Sequence, residues 1–333
     1  MLLIDALYIN TSGGLELLKY LVTVLEQRNA DCFYLFDKRC SAEFKNIIEN
    51  KKSILTASTK NRYRFYRENY NRFTKILCFA NIPPLIKNSA VVYTYFHNIN
   101  LLNTPKKLRL KTKILIKLKR FYILFLRNNT TYWIVQTENT KSALKKTMQN
   151  DNIIILPFFN VDSVKQNETK ARTDYIYVSN YTESKNHINL LRAWNILYDR
   201  GYKLTLHLTL QENTLPNKLK VLLEKFLEYG TVINHGFVNK EQVNELYNKS
   251  KATIYPSFNE SLGLGIVEAM HAGCDVIAAD LPYIHSVCLP SGVFDPLDVD
   301  SIVNSVEKYE IGNSQKTIQT IDNKINELIE LII

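Results

Sequence analysis

Apolar residues in this chain fall in short, almost unbroken runs, separated by stretches in which they recur every three or four positions. That is the alternation of buried parallel strands and amphipathic helices. The first run, Leu2 to Ile9, leads into Asn10-Thr-Ser-Gly13-Gly14. Leu17, Leu18, Leu21, Val24 and Leu25 then follow at helical spacing, and Cys32 to Phe36 is continuous again. Strand, glycine turn, helix and strand predict a right-handed crossover unit of an α/β sheet. Ile76–Phe79, Val91–Tyr95, Trp133–Val135 and Ile153–Leu156 extend that sheet.

Asn160 to Thr173 is polar and aperiodic, and is read as a linker. The alternation then resumes, with strands expected at Tyr175–Val178, Leu204–Leu210, Val232–Asn234, Thr253–Tyr255 and Val276–Ala279. The expectation is two α/β domains, 1–165 and 170–333, meeting at a cleft. Ligands of such sheets sit beyond the carboxyl ends of the strands. Ile318, Ile321, Ile325, Leu328 and Leu331 predict a last helix over 316–333, counted with the second domain.

Composition narrows the class. Of 333 residues, 46% are hydrophobic and 22% charged, which excludes disordered and low-complexity chains. Lys and Arg number 42 against 32 Asp and Glu, and the net charge of +10 favours an anionic partner: nucleotide, nucleic acid or membrane surface. Five cysteines, at 32, 40, 78, 274 and 288, form no CxxC pair and read as reduced thiols. With no signal-peptide pattern at the start and no apolar run of membrane-spanning length, a cytoplasmic protein is expected.

The most informative segment runs from Tyr255 to Gly273. A strand ends at Tyr255, a turn carries Glu260, and a helix is expected to begin near Leu262, with Gly273 as its C-cap. Gly263 and Gly265 allow a ligand close to the backbone, and the helix N-terminus suits a diphosphate. Glu260 and Glu268 flank that position and could accept hydrogen bonds from hydroxyls on either side, the layout of a nucleotide sugar. From spacing alone, the segment also fits an ordinary helix start with one glutamate placed for the dipole and the other in solvent.

Pro256-Ser257, Glu260-Ser-Leu-Gly-Leu264 and Val267-Glu268-Ala-Met270 resemble the Glu-x7-Glu signature of family four of the retaining glycosyltransferases. Asp275–Asp280, Phe294–Asp298, His235-Gly-Phe237-Val238 and Ile155-Leu-Pro157 with Asn160-Val-Asp162 resemble further segments of that family. The resemblance implies two Rossmann-like domains facing a central cleft (the type B glycosyltransferase fold), with acceptor bound by the first and nucleotide sugar by the second. It implies that Glu268 binds the ribose, that Glu260 binds the donor sugar, and that backbone at Ser261, Leu262, Gly263 and Leu264 holds the phosphates. Phe237 would lie near the base. Lys185, in Glu-Ser-Lys185-Asn-His187, matches the lysine that pairs with the diphosphate. Asn180 stands where many members have an arginine. In the first domain, Gly13-Gly14 matches the glycine turn and His97 the histidine close to the donor sugar. Without the resemblance, His97 also reads as structural and Lys185 as a solvated lysine.

What this implies is a retaining, metal-independent hexosyltransferase with no cofactor beyond its nucleotide-sugar co-substrate. It would act on a glycan acceptor, lipid-linked, in cell-surface polysaccharide synthesis such as O-antigen or capsule. The alternatives are a non-catalytic glycan- or nucleotide-binding partner subunit and a sugar-nucleotide epimerase on the same fold.

The segment 106–127 holds nine Lys or Arg and no acid. On a helix, Lys106, Arg109, Lys113, Lys117 and Arg120 share one face, and Leu108, Leu115, Leu118, Tyr122 and Phe125 the other. The reading is peripheral contact with anionic lipid at the inner face of the cytoplasmic membrane, the alternative being a solvated helix packed by its apolar side. A second basic and aromatic run lies at Lys60–Arg67. No nucleic-acid motif accompanies the charge.

Overall fold

The computed structural model describes residues 1–87, 89–104, 110–161 and 172–333. They form two compact units. The first holds the chain up to Asn160 together with Asp322–Ile333, and the second runs from Val161 to Ile321.

The first unit contains β1 (Leu2–Ala6), α1 (Ser12–Gln27), β2 (Cys32–Asp37), β3 (Lys52–Leu55), α2 (Thr59–Glu68), β4 (Lys75–Cys78), β5 (Val91–Phe96), α3 (Leu110–Leu126), β6 (Tyr132–Val135), α4 (Glu138–Met148) and β7 (Ile153–Ile155). The sheet order is β3-β2-β1-β4-β5-β6-β7, and every pairing is parallel. A parallel sheet has both faces covered, which is why its strands read as solid apolar runs. The edge strand β3 escapes that pattern because Lys52 and Ser53 interrupt it. Lys52 is nonetheless buried, its ammonium donating to the Ile47 carbonyl at 2.7 Å.

The second unit contains β8 (Asp174–Tyr177), α5 (His187–Asp199), β9 (Leu206–Leu208), α6 (Asn217–Glu228), β10 (Val232–Asn234), α7 (Lys240–Lys249), β11 (Ser250–Tyr255), α8 (Leu264–His271), β12 (Asp275–Ala279), α9 (Pro282–His285), β13 (Cys288–Leu289), β14 (Gly292–Phe294), α10 (Val299–Glu310) and β15 (Ile318–Gln319). Its parallel sheet runs β10-β9-β8-β11-β12-β14.

Three expectations need correction. The terminal helix, α11 (Ile325–Ile332), is shorter than 316–333 and belongs to the first unit. Ile325, Leu328, Ile329 and Ile332 pack into the core formed by β1 and α1, while Ile318 lies in β15, antiparallel to β13. Their common spacing hid a change of partner. The Lys324 N–H donates to the Pro157 carbonyl at 2.7 Å, and the Asn323 side chain takes the Ile325 N–H, so the helix starts late.

The basic helix is also turned from its expected setting. Ile123 and Leu126 are buried, whereas Leu115, Leu118 and Phe125 are exposed. Arg120 donates to the carbonyls of Leu101 and Leu102 at 2.6 and 2.7 Å, and so fixes the helix on the fold instead of serving a free basic surface. Lys106, Leu108 and Arg109 lie outside the described residues.

Finally, Arg62 of the Lys60–Arg67 run is 1% exposed. It donates to Asp5 at 2.8 Å and to the carbonyls of Pro83 and Ile82 at 2.8 and 2.9 Å, while the Tyr66 hydroxyl donates to Asp5 at 2.7 Å. All five cysteines are buried and free. Among the described residues, no helix is long and apolar enough to cross a membrane.

Candidate functional site

In the second sheet, β8 runs on to β9 and β10 on one side, and β11 to β12 and β14 on the other. The carboxyl ends of β8 and β11 therefore bound the switch point of the sheet, where the chain leaves in opposite directions and opens a crevice. Lys185 lies in the turn after β8, and Glu260 in the loop after β11. Their side chains meet at 2.5 Å and are largely buried. Burial pulls the pKa of the Lys185 ammonium down, but the Glu260 carboxylate and Tyr177 more than offset this, so it stands above the ordinary lysine value. The lysine is a fixed cation.

The two loops are tied together. Asn186 takes a left-handed backbone (φ 57°), which asparagine tolerates, and its amide donates to the carbonyls of Pro256 and Pro296 at 3.2 and 2.8 Å. The Phe258 N–H donates to the Ser184 carbonyl at 2.8 Å. Beneath them Tyr177 bonds Ser257 at 2.8 Å and the Lys185 carbonyl at 3.1 Å, and Tyr283 donates to the Ser257 carbonyl at 3.0 Å. Burial pushes the Tyr177 phenol up to about 12, so it stays a donor.

The helix begins at Leu264, two residues later than expected. Gly263, its N-cap, has φ 73°, and a Cβ there would lie 2.7 Å from Ile266 Cδ1. The positive φ calls for glycine, and a side chain there would also press on the tip of the buried Ile266. Gly273, past the other end, has φ 83° and ends the helix as expected. The first turn of α8, which has no side-chain cap, follows directly on Glu260, Ser261 and Leu262. Glu268 lies on the same helix, half-buried beside Tyr247, whose hydroxyl donates to the Gly265 carbonyl at 3.1 Å. Asn180 is exposed beyond the end of β8. Phe237 is exposed past the edge strand β10, and the neighbouring His235 is hydrogen-bonded to His207 at 2.9 Å, which bonds Asp174 at 3.0 Å.

In the first sheet the switch point lies between β1 and β4. Gly13 and Gly14 open the helix after β1, and His97 follows β5. A Cβ on Gly14 would stand 3.4 Å from His97 Nε2, an ordinary contact, so the glycine turn lies against the imidazole. The Asn81 side chain accepts the His97 N–H at 2.7 Å. Burial lowers the His97 pKa to about 4, which keeps the ring neutral near pH 7.

Sequence reasoning missed the supports: Tyr177, Ser257, Tyr283, Asn186, His187 and Asn81. Asn186, directly after Lys185, offered a turn signal, whereas the tyrosines look like ordinary strand residues. His187 bonds Ser179 at 2.9 Å, and burial together with the Lys185 charge lowers its pKa to about 3. The unfolded chain takes up this proton near pH 6.5, the folded chain only near 3. Stability is thus full above pH 6.5 and falls as pH drops toward 3. Between pH 7.5 and 5 the expected loss from this residue is about 2 kcal/mol. In urea titrations at the two pH values, His187→Asn should shrink the acid-side loss by about that amount. An unchanged loss would contradict the assignment.

A family model described as "Glycosyl transferases group 1" matches residues 158–329, more than half of the chain. The O-antigen chain mannosyltransferase B of Escherichia coli is 31% identical over 129 residues, covering 38% of this chain and 34% of that protein. The match thus spans about a third of the relative's length. Among solved structures, sucrose-phosphate synthase from Thermosynechococcus elongatus aligns over 93% of this chain and 89% of its own, with a TM-score of 0.71 at 12% identity. The lipopolysaccharide outer core galactosyltransferase WaaB aligns over 94% and 91%, with a TM-score of 0.65 at 15% identity. These structural likenesses concern the fold. The family match takes in Lys185, Glu260 and Glu268 together, and this chain belongs to the group 1 glycosyl transferases.

Proposed function

We propose that the chain transfers a hexose from a nucleotide sugar to a glycan acceptor, lipid-linked, with retention of anomeric configuration, in synthesis of a cell-surface polysaccharide. Mannose is the first donor sugar to test, since a relative carries the name O-antigen chain mannosyltransferase. The observation that carries the reading is the Lys185–Glu260 pair at the switch point, directly before the N-terminus of α8, which no side chain caps. Departure of the nucleoside diphosphate breaks the bond from sugar C1 to phosphate oxygen, and negative charge grows on that oxygen. A fixed ammonium and a helix N-terminus stabilise it. The acceptor hydroxyl forms the new bond on the same face, and its proton passes to the departing phosphate. On this reading Glu260 accepts from the sugar hydroxyls and Glu268 from the ribose, while Phe237 lies by the base. Asn180 borders the phosphates, and Gly13, Gly14 and His97 serve the sugar and acceptor. The protein–phosphate contacts supply positive charge without a divalent ion, and the enzyme works peripherally at the inner face of the cytoplasmic membrane.

The test is a melting-temperature titration of the purified protein against nucleotide sugars in the presence of EDTA. A donor at a hundred times its Kd should add about 2.7 kcal/mol of stability. The shift should vanish in Glu268→Ala. No shift with any donor, or an equal shift in the variant, would overturn the site assignment. Product from donor alone would point to an epimerase.

A further inference from the structure

His187 is the first residue of α5 and is 1% exposed, packed by the rings of Tyr177 and Tyr181 at centroid distances of 5.0 and 6.1 Å. Its two nitrogens are treated differently. Nε2 lies 2.9 Å from the Ser179 hydroxyl, whereas Nδ1 is buried with no hydrogen-bond partner among the described residues. Burial and the Lys185 charge keep the ring neutral at pH 7, so one nitrogen carries a hydrogen and the other is bare. A buried N–H without an acceptor is rarer in proteins than a buried lone pair without a donor. The hydrogen therefore belongs on Nε2, which donates it to Ser179 Oγ.

That leaves Ser179 with its own hydrogen to give. The residue stands two positions past the end of β8, half-buried, and its N–H donates to Thr209 Oγ1 at 3.2 Å, so its backbone is held as well. The nearby Tyr177 hydroxyl donates to the Lys185 carbonyl and accepts from Ser257, and so needs no hydrogen from Ser179. Between Ser179 and His187 the turn carries one Lys or Arg, Lys185, and the residue beside Ser179 is the neutral Asn180.

We infer that the Ser179 hydroxyl is a further donor to the phosphates of the nucleotide sugar, held in that role by His187. The imidazole occupies one lone pair of Oγ and leaves the hydroxyl hydrogen for an anionic oxygen bound by Lys185. The inference rests on the nucleotide-sugar site proposed above and adds a contact to it. A hydrogen bond to a charged oxygen is stronger than one between neutral groups, and a hydroxyl already held by its neighbours loses less freedom on binding than a solvated serine. His187 touches no ligand on this account. It is a positioning residue that acts through Ser179.

The test is calorimetric titration of the full chain with inorganic pyrophosphate in EDTA, with circular dichroism as a control for folding. Ser179→Ala should weaken binding about tenfold, the loss of one hydrogen bond to a charged group, while Ser179→Thr keeps the hydroxyl and most of the affinity. His187→Phe keeps a buried ring but removes the Nε2–H. It should weaken binding about threefold when Ser179 is present and not at all in Ser179→Ala. As an independent readout on the unaltered protein, long-range proton–nitrogen NMR should show His187 protonated at Nε2 and bare at Nδ1. Wild-type affinity in Ser179→Ala, equal losses from His187→Phe in both backgrounds, or a proton on Nδ1 would overturn the inference. Binding lost in Lys185→Ala but kept in Ser179→Ala would do so while leaving the Lys185–Glu260 site in place, and absence of wild-type binding would overturn both. If pyrophosphate binds as expected while no nucleotide sugar shifts the melting temperature, the transfer reading fails and the phosphate contact stands.

Discussion

Lys185→Ala should lower the rate of sugar transfer by about a hundred- to a thousandfold while the fold survives. The lysine is the cation the structure holds at the switch point, 2.5 Å from Glu260. Removing a single fixed group that stabilises transition-state charge costs about that much in enzymes where it has been measured by substitution. The same substitution leaves the largely buried Glu260 carboxylate without its cation, which disturbs the sugar contact as well. Glu260→Ala should therefore lose activity of similar order, and the double variant should cost much less than the product of the two single losses, because the residues act as one unit. Lys185→Arg should rescue only in part, since a planar guanidinium does not reproduce a point charge. Initial rates with circular dichroism as a control read these outcomes. Near-wild-type rates in either single variant would remove the pair from the site.

The largest expected effect on stability is at Arg62. Arg62→Met leaves the buried Asp5 carboxylate without its cation and two carbonyls without a donor. Breaking a buried pair from one side costs about 3–5 kcal/mol. In urea unfolding the loss should fall on the first unit, whose β1 carries Asp5. Removing both charges, in Arg62→Met with Asp5→Asn, should recover much of it, because the cost of an uncompensated ion disappears. A loss below about 1 kcal/mol in the single variant would mean that water or another cation reaches Asp5.

What could be read from the sequence follows from what period and composition encode. The central parallel strands were legible because burial on both faces makes them nearly continuous apolar runs, as in Val276–Ala279 and in Leu2–Ala6, where only Asp5 interrupts. Short edge and accessory strands such as Lys52–Leu55 and Ile318–Gln319 carry no such run. Isoleucines 318 and 325 share one period but belong to different units, and periodicity cannot tell a change of partner. On α3 both sides carry large apolar residues, so charge alone chose the wrong face for packing. The part-buried hydrogen bonds of Arg120 decide it. At the site, Lys185, Glu260 and Glu268 were found through residue types in a known spacing, and the structure brings Lys185 and Glu260 into contact. The tyrosine and serine supports below them were not legible, because Tyr177 and Tyr283 act through tertiary contacts with no local signature.

The most direct measurement is NMR of the sugar transferred from an isotopically labelled nucleotide sugar, with the anomeric coupling read in donor and product. Transfer to the acceptor with the donor's configuration preserved, and lost in Lys185→Ala, is the expected result. An inverted product, or no sugar transferred from any donor by a protein that binds one, would contradict the function proposed for the Lys185–Glu260 site.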